Sequence, residues 1–186
     1  MRLELEIPDD ILRIWDEMQG PIVKIPHPAL TRVAEPVGKP GAETRALVER
    51  MKQAMLDACG VGLAAPQLGV SQRVIVYKLP EEDAPIRVMV DPKILSRKGE
   101  QIGPEGCLSI PRLQGDVTRA YEIVVRAKDL LGRQFKRRAS EFEARVIQHE
   151  VDHLDGILFY ERADPSTLHW VVEEEAEEAG EPALHE

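Results

Sequence analysis

The run His149-Glu150-Val151-Asp152-His153 sets two imidazoles four residues apart, with a carboxylate beside the first. On a helix such residues share a face, so both rings reach one metal ion. Glu150 is then placed to take a proton from water activated by that ion. The chemistry implied is hydrolysis by a metal-activated water. A catalytic site with two histidines needs a third protein ligand. No further His follows at the spacing of the longer His motifs. Glu173 offers a carboxylate, although it sits in an acidic run with Glu174 and Glu175. Cys107 offers a thiolate, within Glu105-Gly106-Cys107-Leu108-Ser109. Spacing alone leaves these sources open. A ligating His also needs a partner for its second ring nitrogen. Asp152, Asp155 and Glu105 are the candidates, with Asp152 alternatively pairing Arg119.

Those side chains need elements to hold them. Ser140 with Glu143 three residues later has the form of a capping box, so a helix is expected to start near Ser140. Phe142, Val146, His149 and His153 then fall on one face, and Gly156 is a natural stop. A second helix is expected over Glu43–Cys59, with Leu47, Val48, Met51, Ala54 and Met55 at helical spacing and Gly60 to end it. Cys59 at the end of that apolar face is expected to be buried and structural. Ile7–Trp15 reads as a short amphipathic helix after Pro8. Strands are expected at Val74–Tyr77, Ile86–Val90, Ile123–Ala127 and Gln134–Arg138. Strands before a single late helix indicate an α+β fold rather than alternating βαβ units.

The 186 residues, 43% hydrophobic and 31% charged, fit one globular domain. The net charge of −9 is uneven. Between Glu161 and Glu186 nine acids face one base, Arg162, leaving −8 there and −1 on the rest. Such an acidic block repels phosphate backbones, so nucleic-acid binding through the tail is not expected. It is expected to be partly helical from Glu173, fraying after Gly180. No apolar run reaches the length of a membrane span. The N-terminus carries six acids in twenty residues, unlike a signal or transit peptide, which makes the cytoplasm the expected compartment. Two cysteines make no disulfide framework.

Three segments in order carry a resemblance: Gly60-Val61-Gly62-Leu63-Ala64-Ala65-Pro66-Gln67, Glu105-Gly106-Cys107-Leu108-Ser109 and Gln148-His149-Glu150-Val151-Asp152-His153. After about residue 20 the chain resembles a peptide deformylase. The resemblance implies a single catalytic domain over 1–186, with residues 1–20 as an extension and 161–186 as the acidic tail. It implies small antiparallel or mixed sheets around a central metal-binding helix. It implies Cys107, His149 and His153 as ligands of one divalent ion, Fe²⁺ as the working metal, with Zn²⁺, Ni²⁺ or Co²⁺ as other occupants. Glu150 would move the proton, while the Gln67 amide and the Leu108 backbone N–H would stabilise the developing oxyanion. Gly62 would let the substrate backbone approach closely. The substrate implied is the formylmethionine end of a nascent peptide, met near the ribosome but not through the acidic tail. Phe142 and Val146 are expected to line a pocket for the methionine side chain. A small peptidase using Glu173, or a non-catalytic or altered-specificity relative, are the alternatives.

The chain departs from the family at the rim. After Ser109 relatives often read Ile-Pro-Gly or Ile-Pro-Glu; here Ile110-Pro111 is followed by Arg112. Gln114 stands where some relatives bind substrate through Arg, and Arg112 is expected to supply that charge. Glu141 replaces a glycine that often precedes the metal helix. Arg145 replaces an apolar residue of several relatives and is expected to reach solvent.

Overall fold

A computed structural model describes residues 5–81 and 83–171. Residues 1–4 and the tail beyond 171, including Glu173, lie outside the described residues. Within them the chain forms helix α1 (Asp9–Glu17), helix α2 (Ala42–Asp57), strands β1 (Gly62–Ala64), β2 (Val74–Tyr77), β3 (Arg87–Lys98), β4 (Gln101–Cys107), β5 (Ile110–Arg119), β6 (Glu122–Lys128) and β7 (Gln134–Ser140), helix α3 (Glu141–Leu154) and strand β8 (His169–Trp170). All strand pairings are antiparallel: a five-stranded sheet ordered β1-β2-β3-β6-β7 and a three-stranded sheet ordered β4-β5-β8. This is the α+β architecture expected.

The larger sheet is a layer between two helices. Side chains alternate across a strand, and β2 shows the result. Val74 and Val76 pack with Leu47, Val48, Met51 and Met55 of α2. Ile75 and Tyr77 pack with Val146, Ile147 and Val151 of α3. A third apolar cluster joins Ile11 and Trp15 of α1 to Ile110, Leu113 and Val117 of β5 and to Phe159. The metal helix therefore has the large sheet on one flank and β5 near the other.

Three local expectations are corrected. Helix α2 ends at Asp57, two residues short of its expected end at Cys59. Cys59 takes the left-handed conformation at φ +52°, its N–H meeting Leu56 O at 3.0 Å and the Gly60 N–H meeting Met55 O at 2.8 Å. That is a Schellman ending with cysteine in the usual glycine place. It turns Cys59 outward, so Cys59 is exposed rather than buried. Gly60 is needed for another reason: a Cβ there would lie 2.8 Å from Leu108 Cδ1. The Ser140/Glu143 capping box does not form, for Ser140 makes no side-chain cap bond. The Glu143 carboxylate instead accepts from Tyr77 Oη at 2.9 Å, Arg87 at 2.9 Å and Arg137 at 2.7 Å. Two guanidiniums and a phenol outcompete one backbone N–H, since bonds between charged groups are the stronger.

Strand β3 runs eight residues past its expected end at Val90. Asp91-Pro92 interrupts the pattern in sequence, and in space it makes a register shift between Val90 and Lys93 that lets the strand continue.

Candidate metal centre

Cys107 is the last residue of β4, and Leu108 and Ser109 turn the chain tightly into β5, so that Cys107 pairs with Ile110. This turn carries the thiol to the face of α3 that bears both histidines. The Cys107 Sγ lies 3.2 Å from His153 Nε2. One ligand atom from each of Cys107, His149 and His153 falls within 4.8 Å of the other two. Among the described residues this is the one such cluster of His, Cys, Asp and Glu. One sulfur and two imidazole nitrogens so grouped fit a four-coordinate ion with one open position.

The orientation of His149 is set from behind. Its Nδ1 lies 2.9 Å from Glu105 Oε2, leaving Nε2 for the cluster. Glu105 in turn accepts two bonds of 2.9 Å from Arg119 and one of 2.8 Å from Arg145. Burial would push the Glu105 carboxyl up, but Arg119 and His149 outweigh it and hold the group well below the usual carboxylate range. Arg119 also reaches Asp152, which accepts from Arg162 at 2.6 and 2.7 Å. The expected Arg119–Asp152 pair is present. Of the other candidates, Asp155 binds Arg73 at 2.8 Å instead of a histidine. Burial drives His153 down in pKa, with the His149 charge adding to the effect. Burial also lowers His149, yet Cys107, Glu105 and Glu150 raise it well above the ordinary value.

Glu150 is 4% exposed, and burial pushes its carboxyl up to about 7. Its position depends on Gly62. A Cβ on Gly62 would fall on the Glu150 carboxylate, with Cδ at 2.9 Å. The missing side chain in β1 is thus explained by the glutamate as well as by any substrate. Gln67 sits in a short 3-10 turn, Ala65–Leu68, directly after β1. Its Oε1 accepts from Ala64 N at 2.9 Å, which directs Nε2 to Cys107 Sγ at 3.6 Å and Ser109 Oγ at 3.3 Å.

Glu105, Cys107, His149, Glu150 and Gln67 open on a single cleft of about 1040 Å³. Gly62, Gln67, Leu108, Phe142, Val146, Arg112 and Gln114 line it with Cys107, His149 and Glu150. Val146 is buried, whereas Phe142 is 41% exposed at the mouth. Arg112 occupies a register shift of β5, where Gly106 pairs with Gln114 while Cys107 pairs with Ile110. Its φ of +72° is the left-handed conformation that glycine favours. Glu141, at the start of α3, has φ +54°, in the same region. Arg145 is the correction at the rim. It does not run out to solvent but donates to Gly103 O, Val117 O, Gln101 O and Glu105, at 2.8–3.3 Å. Three carbonyls and a carboxylate hold it better than water would. Sequence reasoning also missed Ile14, Met18, Pro21 and Ile22, which line the same cleft. Only tertiary packing brings them there.

The polypeptide deformylase family model matches residues 20–169. The chain belongs to the polypeptide deformylase family. It is 46% identical over 144 residues to the peptide deformylase of Acidobacterium capsulatum, covering 76% of this chain and 85% of that one. Among solved structures it is similar to a class I type b peptide deformylase of Acinetobacter baumannii bound to Met-Ala-Ser, with TM-score 0.72, 39% identity and coverage of 78% and 98%. It is also similar to the peptide deformylase of Synechococcus elongatus in complex with actinonin, with TM-score 0.75, 38% identity and coverage of 79% and 83%. The chain is thus an enzyme of a metal-dependent family that removes the N-formyl group from newly made polypeptides. No described helix is long and apolar enough to cross a membrane.

Proposed function

We propose that this chain deformylates peptides at one divalent ion, Fe²⁺ in the working enzyme, held by Cys107, His149 and His153. The observation that carries this reading is the convergence of Sγ and two imidazole nitrogens within 4.8 Å, beside the buried Glu150. A bound ion would supply a Lewis acid that makes water nucleophilic near neutral pH. Glu150 takes the proton of that water and returns it to the leaving amine, a task its buried position beside the ligand cluster suits. Gln67 Nε2 and the Leu108 backbone N–H donate to the formyl oxygen as charge develops on it. Ala64 locks the Gln67 amide beforehand, so little reorganisation is needed at the reacting moment. Gly62 admits both Glu150 and the peptide backbone. Val146 and Phe142 receive the methionine side chain, and Arg112 at the lip receives the peptide's backbone or carboxylate. The products are formate and a free amino terminus.

The substrate is a nascent chain met in the cytoplasm near the ribosome, by a route other than the acidic tail, with no direct nucleic-acid or membrane contact. Residues 1–186 act as one catalytic domain. Glu173 is not needed as a ligand once Cys107 stands beside the two histidines.

The test is anaerobic purification, metal analysis and an assay of formate release from formyl-Met peptides. We expect about one iron per chain. Glu150→Gln should keep the metal and lose roughly a thousandfold or more of kcat. Cys107→Ala should lose the metal itself. Retained metal and activity in Cys107→Ala would overturn the ligand set, and bound metal without formate release would favour a non-catalytic relative.

A further inference from the structure

The cleft has a wall that the family match does not include. The match begins at residue 20, yet Ile14, Met18 and Gln19 line the cleft that holds Cys107 and Glu150. Helix α1 brings them there, and its position is tied down. On its inner face Ile11 and Trp15 are buried against β5, at 1% and 5% exposure. Trp15 Nε1 donates to Pro111 O at 3.0 Å, next to the Arg112 bulge. Trp15 also meets Trp170 edge to face, with centroids 6.1 Å apart. At the C-terminal end Lys24 Nζ donates to Trp15 O at 3.0 Å and Met18 O at 3.4 Å, a cation on the last helical carbonyls. Lys24 belongs to a segment fixed in its turn by Val23 N to Gln67 O at 2.9 Å and Ile25 N to Ser109 O at 3.2 Å. The added helix is therefore bolted to the same two segments that carry Gln67 and Cys107.

Against that rigid inner face, the side facing the cleft is unfilled. Met18 is 46% exposed, and Val61 and Phe142 across the same mouth are 40% and 41% exposed. Apolar side chains rimming a cleft mark where an apolar group docks. The volume of about 1040 Å³ stands at the top of the range for whole drug-sized ligands and exceeds what one formylmethionyl group fills.

We propose that Met18 and Ile14 of α1 form a further subsite, one that takes a bulky apolar side chain on one of the two residues following the formylmethionine. The inference rests on the deformylase reading and adds a preference that relatives lacking α1 would not share. Met18 acts on binding of the downstream chain and touches none of the reacting atoms.

The test compares wild type, Met18→Ala and Ile14→Ala on formyl-Met-Ala-Ala, formyl-Met-Leu-Ala and formyl-Met-Ala-Leu. In wild type one leucine peptide should have the lower KM. Met18→Ala, at an exposed position, should raise that KM roughly fivefold while leaving kcat and the all-alanine peptide within about twofold. Equal changes for all three peptides would overturn the subsite. Binding is read separately by Trp15 and Trp170 fluorescence, titrating the unformylated Met-Ala-Ala, Met-Leu-Ala and Met-Ala-Leu. If no peptide yields formate, the deformylase reading fails. A leucine preference in binding that Met18→Ala removes would still support the subsite, and equal affinities in wild type would end it.

Discussion

The inner wall of the cleft and its mouth are built on opposite terms. Behind the histidines, Glu105, Arg119, Arg145 and Asp152 form a continuous, largely buried network, joined at the surface by the exposed Arg162. Every oxygen of Glu105 is bonded at 2.8–2.9 Å. At the mouth, Arg112 and Cys59 hold positive φ without being glycine, and Met18, Val61 and Phe142 expose apolar surface. A mispositioned ligand costs the reaction itself, so the wall is over-determined. The mouth only selects among substrates, and variation there leaves the chemistry intact. Breaking the wall should therefore cost metal and much stability, whereas changes at the mouth should move KM and leave kcat and the metal in place.

The largest effect is expected at Glu105. Glu105→Gln leaves Arg119 and Arg145 buried with the shared charge gone and offers His149 Nδ1 a weaker partner. Removing one partner of a buried ion network typically costs about 3–5 kcal/mol, and losing a ligand's supporting bond costs about 10–100-fold in metal affinity. Denaturant unfolding and metal titration measure the two losses. Full stability with unchanged affinity would mean that the network is decoration and that the contrast between wall and mouth is wrong.

Gly62→Ala comes next. The new Cβ lands on the Glu150 carboxylate, which has to move, and β1 is held by β2 on its other side. A misplacement of about 1 Å at a catalytic group costs on the order of 100-fold, so kcat should fall by that much with the metal retained. Gly60→Ala is the control. Its Cβ meets the tip of Leu108, a side chain that can swing away, so the loss there should stay near tenfold or less. Equal losses at the two glycines would remove Glu150 as the reason for Gly62.

Sequence and structure agree where periodicity alone decides. Strand β2 has the expected bounds, and α2 and α3 lie within two residues of expectation. His149 and His153 were legible because a helix has one geometry. β4 and β5 were not, since Gly103, Pro104, Gly106, Pro111 and Gly115 hide their alternation, and so the Cys107 position came only through its motif. The Ser140 cap and the inward Arg145 were misread for one common reason. Each is decided by a partner distant in the chain, Tyr77 and Arg87 for Glu143 and Glu105 for Arg145, whereas the outward Cys59 follows from a local Schellman ending in which a cysteine takes the usual glycine place. Local propensity carries no record of such competitors. The part played by α1 in the cleft lies beyond any local pattern, being a matter of docking alone.

The smallest effect separates backbone from side chain at the mouth. Arg112, proposed above to bind the peptide, lines the cleft and also holds a conformation that suits glycine. Arg112→Ala removes the charge and keeps the Cβ; Arg112→Gly removes both. If Arg112 binds the peptide, both variants raise KM by the same few-fold factor with kcat unchanged. Whatever contacts Arg112 makes within the protein are lost equally in the two. Their difference in stability then reports the φ of +72° alone, and Arg112→Gly should be the more stable by about 1 kcal/mol. Equal stabilities would mean that the bulge relaxes to suit its residue. The mouth would then be softer than its two left-handed residues imply, and its contrast with the wall sharper still.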